Sequence, residues 1–184
     1  MNIQKILAYD LYTNTTGTAR YQRVCAVLEQ SVEPLTLHPN TLDCGHQPVL
    51  CSPRARALDC LDTRTATAVT ITPELNELAF SLADFCSEER FLEQGSTAVR
   101  QAFTQAFITN QLSVSHPELK AELDFILSFK NQSHPPLGIS HTFRLKLLEI
   151  YAAVGAELFD QPASLEKHLD SQNHFYAFGH VLEL

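Results

Sequence analysis

The sequence predicts an α+β fold, with an N-terminal helix and a small antiparallel β-sheet ahead of an orthogonal α-helical bundle. Two changes of texture lead there. Residues 34–72 are short apolar pieces broken by proline, glycine and aspartate, which reads as strands and turns. From Pro73 onward apolar residues recur at helical spacing. The chain of 184 residues is long enough for one well-buried core. Its two textures divide it into 1–72, the helix and sheet lobe, and 73–184, the helical lobe, within one compact unit.

Tyr21, Val24, Cys25 and Leu28 share a face, so a first helix is expected over 19–29, after the polar run from Thr13 to Thr18. The strand candidates are LTLH, PVLC, ALDCL and TAVTIT, separated by turns at His38-Pro-Asn40, Gly45 to Pro48 and Ser52-Pro53. Thr72 and Pro73 then suit the N-cap and first position of a helix that would bury Leu75, Leu78, Leu82 and Phe85. A second bundle helix starts near Ser96 and buries Val99, Phe103 and Phe107. Ser115 to Glu118 reads SHPE, a capping box for a third helix carrying Leu119, Leu123, Ile126 and Leu127. The fourth opens at Ser140 with a stripe of Phe143, Leu147, Ile150, Tyr151, Val154 and Leu158. A short helix near 164–169 and an aromatic tail, HFYAFGHVLEL, follow.

Composition excludes several functions. The formal charge of −8, from 21 acidic against 13 basic residues, repels a phosphate backbone, and the only local basic excess is Arg54, Arg56 and Arg64. Nucleic acid is therefore not an expected partner. The opening MNIQKILAYD is too short an apolar run for a signal peptide and no stretch reaches the length of a membrane span, so a cytoplasmic location is expected, with no membrane partner. Five cysteines without a scaffold rhythm fit a reducing compartment.

Local chemical motifs are absent. No G-x-S-x-G, Walker loop, G-x-G-x-x-G or H-E-x-x-H occurs. Cys44, His46, Cys51 and Cys60 lie close in sequence, but structural zinc favours C-x₂₋₄-C or H-x₃₋₅-H pairs, and no second pair completes a set. No metal site is expected there, nor among His134, His141, His168, His174 and His180, which lack Glu-x-x-His spacing. Cys86 is followed by Ser87-Glu88-Glu89, a setting that disfavours a thiolate. The chain is accordingly expected to have no catalytic site of its own and to bind a partner.

Two surfaces are candidates. In Thr65 to Thr72, Thr67, Val69 and Ile71 alternate with Ala66, Ala68 and Thr70, which leaves strand register weakly fixed and suits an edge that accepts an added peptide strand; Thr67, Val69, Thr70 and Ile71 are the candidate peptide-binding residues. Leu145 and Leu148 fall outside the stripe of the last long helix and give it a second apolar face, the candidate partner interface.

The segments TAVTITPELNELAFSLADFC and AFITNQLSVSHPELKAELDFILSF, after an early Asp10-Leu11-Tyr12 and Ala19-Arg20, resemble the MbnC family of methanobactin biosynthesis proteins, as a pattern over residues 10–130. The resemblance implies a non-catalytic subunit in a heterodimer with an MbnB-like iron enzyme. Such a pair converts cysteines of a ribosomally made precursor peptide to oxazolone and thioamide groups, giving a copper-binding product. Iron would belong to the partner, with no cofactor in this chain, and this chain would hold the precursor's leader. Alternatives are a stand-alone helical adaptor or immunity-type protein and a small Cys/His metalloenzyme.

Overall fold

The computed structural model describes residues 2–5, 16–30, 42–166 and 181–183. The strands are β1 (Asn2–Lys5), β2 (Gln47–Cys51), β3 (Ala66–Ile71), β4 (Leu137–Ser140) and β5 (Val181–Glu183), and the helices are α1 (Gly17–Leu28), α2 (Ala55–Leu58), α3 (Glu88–Gln94), α4 (Ser96–Ile108), α5 (Gln111–Ser115), α6 (Leu119–Ser128), α7 (Thr142–Val154) and α8 (Glu157–Asp160). The strands form one sheet in the order β3-β2-β4-β1-β5. Pairs β2–β3, β2–β4 and β1–β4 are parallel, and only β5 runs antiparallel, against β1.

This overturns the expected antiparallel sheet: the protein is a mixed α/β fold. Short turns between strands imply antiparallel pairing, but α2 lies between β2 and β3, and a crossover of that length returns the chain in the same direction. ALDCL is no strand either, because Ala57 and Leu58 belong to α2. β2 carries the mark of a parallel strand, since its last three residues are all buried rather than alternating. β4 lies between β2 and β1, so both parts of the proposed division at residue 72 share one sheet.

Pro48 cannot donate to a ladder, and at that point the register shifts from Gln47↔Ala66 to Pro48↔Ala68, which leaves Thr67 as the extra residue of a bulge.

The two faces of β2 serve different cores. Leu50 joins the large helical core with Val24, Leu75, Phe103 and Leu147. Val49 and Cys51 join Leu42, Cys44, Ala57, Cys60, Leu61, Leu137 and Ile139 in a smaller one that includes α2. In the large core Phe103 stacks on Phe143 with ring centroids 4.1 Å apart, and Phe80 meets both edge-on.

α7 is covered on almost every side, with Phe143 to Leu148, Ile150 and Tyr151 all buried. A helix buried nearly all round is a core helix, here with Arg144 and Lys146 paired to Glu122 and Glu149. Leu145 and Leu148 are each 0% exposed, so the second apolar face packs inside this chain and is not the partner surface the sequence suggested.

The helix expected from Pro73 is two 3₁₀ turns, Pro73–Leu75 and Leu82–Asp84, although Leu75, Leu78 and Leu82 are buried as expected. The SHPE box does not cap α6. Ser115 ends α5, and its hydroxyl donates back to the carbonyls of Gln111 and Leu112. The expected helix at 164–169 is a 3₁₀ turn over Pro162–Leu165, and its remainder from 167, like most of the aromatic tail and LTLH, lies outside the described residues.

Candidate functional site

Because β2 and β4 are parallel neighbours, their carboxyl ends open on the same edge of the sheet. In open α/β sheets that edge, where connections depart to different sides, is where ligands bind. Ser52 follows β2 and His141 follows β4, and both are almost fully buried. Thr72, Asn76 and Glu77 arrive after β3 through the Pro73–Leu75 turn, which is held by a hydrogen bond from Ser140 Oγ to the Leu75 carbonyl (2.8 Å). β1 ends there too, with Lys5 paired to Ser140; residues 6–15 beyond it lie outside the described residues.

A polar cluster fills this edge. His141 Nε2 lies 2.8 Å from Ser52 Oγ, which in turn donates to Asn76 Oδ1 at 3.0 Å. Arg56 Nε donates to His141 Nδ1 at 3.3 Å. Arg144, nearly buried, donates from Nε to the Asn76 carbonyl (2.9 Å) and from Nη1 to Glu122 Oε2 (2.7 Å).

Glu77 joins sheet edge to helix. Its Oε1 accepts the backbone N–H groups of Phe143 and Arg144, each at 3.1 Å, and of Leu78 at 3.1 Å. It thus caps the first turn of α7, whose own N-cap residue His141 gives no side-chain cap. Desolvation pushes the Glu77 carboxyl above its ordinary range; the Arg56 charge and the three N–H groups only partly oppose this. A half-buried carboxyl raised by desolvation and facing the Arg56 charge is suited to exchange a proton with a bound anion.

The sequence candidates are distributed differently. Cys44, Cys51 and Cys60 do come together, in the small core at 2%, 0% and 1% exposure, while His46 stands exposed at a turn with φ +56°. Burial pushes the Cys51 thiol up to about 12 and Cys60 to about 11, so these are packing groups. No group of three or more metal-ligating side chains occurs among the described residues. His168, His174 and His180 lie outside them. His46 and His134 help line a cavity of about 330 Å³ with Gln47, Pro48, Ser133 and Pro135, at the amino end of the sheet, opposite the polar cluster.

Thr67, Val69, Thr70 and Ile71 all lie on β3, which among the described residues is an outer strand paired only with β2 and exposed on both faces, with Ile71 at 48%. Arg54, Arg56 and Arg64, grouped by sequence, are separated by the fold: the first two follow β2, and Arg64 pairs with Asp62 at 2.8 Å. Sequence reasoning missed Ser52, Asn76, Glu77 and His141 as a set. The available signal was a polar residue directly after each of two short apolar runs, PVLC-Ser52 and LGIS-His141.

No helix among the described residues is long and apolar enough to cross a membrane. No protein-family model, curated protein or solved structure matches the chain.

Proposed function

We propose that the polar cluster at the carboxyl ends of β2 and β4 binds a phosphate monoester and assists its hydrolysis. One observation carries this reading: Glu77 at the α7 N-terminus and the Arg56 cation beside His141 gather at the sheet edge where α/β ligands bind, and desolvation raises the Glu77 carboxyl above its ordinary range. Arginine matches a tetrahedral oxyanion in charge and fork geometry. In the reaction water forms the new P–O bond, the ester P–O bond breaks, and Glu77 gives its proton to the departing oxygen. The proton shed by the attacking water restores the acid. Arg56 offsets charge on the phosphoryl oxygens.

Inorganic phosphate titrated calorimetrically is the direct probe. Arg56→Met should weaken binding by about tenfold or more, the worth of a charge-assisted contact. Arg64→Met, at an exposed pair with Asp62, should leave affinity unchanged. Equal affinity of wild type and Arg56→Met would remove this function.

A second reading is a partner subunit that presents a precursor peptide to an iron enzyme, as the MbnC resemblance implies. It is favoured by the β3 edge, whose residues 66–71 carry no charge or proline and, among the described residues, no covering strand on the outer side. On this reading Val69→Pro should weaken binding of a labelled leader peptide by about tenfold through loss of backbone pairing, and Thr70→Ala should not. Circular dichroism establishes first that both variants are folded. Equal affinity of wild type and Val69→Pro would leave β3 as scaffold.

A further inference from the structure

We propose that Asn76, Ser52 and His141 form a hydrogen-bond chain of fixed direction that holds the Arg56 guanidinium at the sheet edge, making Ser52 and Asn76 positioning residues; its relevance to phosphate rests on the reading above. The direction follows from the two ends. A guanidinium can only donate, so the contact from Arg56 Nε (3.3 Å) requires a lone pair on His141 Nδ1. The neutral ring then carries its proton on Nε2 and donates it to Ser52 Oγ at 2.8 Å. Ser52 Oγ also receives the Arg54 backbone N–H at 3.4 Å, which fills both of its lone pairs. Its single proton is left for Asn76 Oδ1, 3.0 Å away, and a carbonyl oxygen can only accept. The tautomer and the orientation of the Asn76 amide are thereby assigned from partners, not from hydrogens.

Burial gives the chain its force. Ser52 is 0% and His141 1% exposed, so water cannot replace a lost partner. Asn76 is anchored in turn, because its backbone carbonyl accepts from Arg144 Nε at 2.9 Å. This polarity also excludes Ser52 as a nucleophile activated by His141, since the ring nitrogen facing the hydroxyl already bears a proton. The role of Ser52 is to orient the imidazole, and through it the arginine.

Long-range ¹H–¹⁵N spectra of the whole chain report both the His141 tautomer and the Arg56 Nε–H. Wild type should show Nε2–H imidazole and a slowly exchanging Arg56 Nε–H. Ser52→Ala and Asn76→Leu should each speed that exchange by about tenfold, as expected for one lost hydrogen bond. Asn76→Asp retains the acceptor and should keep it slow. Either of two results overturns the proposal: Nδ1–H imidazole in wild type, or unchanged Arg56 Nε–H exchange in folded Ser52→Ala and Asn76→Leu. Both readouts are free of phosphate, so absence of phosphate binding would remove the proposed hydrolysis and leave the chain standing.

Discussion

Leu145→Lys should abolish the cooperative unfolding transition. Leu145 is 0% exposed on a helix buried on nearly all sides, so the substitution places an ammonium where no water reaches. Losing the leucine contacts costs about 2–5 kcal/mol, and an unpaired buried charge adds several more. Together these approach the whole stability of a domain, about 5–15 kcal/mol. The adjacent Lys146 is also buried but survives because its Nζ lies 2.9 Å from Glu149 Oε2, a partner already engaged. Leu145→Met keeps volume and polarity and should cost less than about 1.5 kcal/mol. Urea unfolding followed by circular dichroism checks both. A wild-type midpoint in Leu145→Lys would mean that this face of α7 is open after all.

Glu77→Gln should lower turnover of a phosphate monoester such as p-nitrophenyl phosphate by about 10²–10⁴-fold, the usual contribution of a positioned proton donor. The fold should survive, because the amide oxygen still accepts the N–H groups of Phe143 and Arg144. Stability should respond to pH with a definite sign. Burial raises the folded-state pKa of Glu77 above the unfolded value of about 4.3, so the native state holds this proton more tightly than the unfolded chain. The resulting stabilisation is complete below the unfolded pKa and is lost as pH rises through the folded one. Wild type should therefore lose stability relative to Glu77→Gln across that window, and the gap should stay constant above it. Urea midpoints of both proteins through the acid range test this. A gap moving the opposite way would mean that Arg56 and the α7 N–H groups outweigh desolvation.

Much of the apolar pattern was legible in the sequence. α1, α4, α6 and α7 lie close to their expected spans, because a stripe repeating at helical spacing over three turns has few other solutions. Leu75, Leu78 and Leu82 were correctly assigned to the core, yet 3₁₀ turns and extended backbone bury them as well as a helix would. Strand direction was not legible. Pairing is a long-range choice, and a short apolar run followed by a turn residue fits a hairpin as readily as a crossover. β4 was hidden by its brevity and its glycine, LGIS, and its last residue, Ser140, suits the start of the following helix as well.

The site was hidden for a related reason. Ser52, Glu77 and His141 have no fixed spacing along the chain, and only the parallel alignment of β2 and β4 gathers them at one edge. Cys44, Cys51 and Cys60, by contrast, were close in sequence and did meet, but as filler of the smaller core. The α7 stripe was read correctly and its second face misassigned, since an apolar face does not reveal whether the same chain or another covers it.

The placement of β4 has a consequence for how the protein is made. This strand, residues 137–140, separates β1 from β2, so during synthesis the two earlier strands have no central neighbour until Leu137 to Ser140 have left the ribosome. Until then β2 presents the side reserved for β4, with Val49, Leu50 and Cys51 next to it, as an unfinished template for other strands. Closure of the sheet must therefore be late and highly non-local, and a nascent chain stalled before Leu137 is the form of this protein most in need of a chaperone.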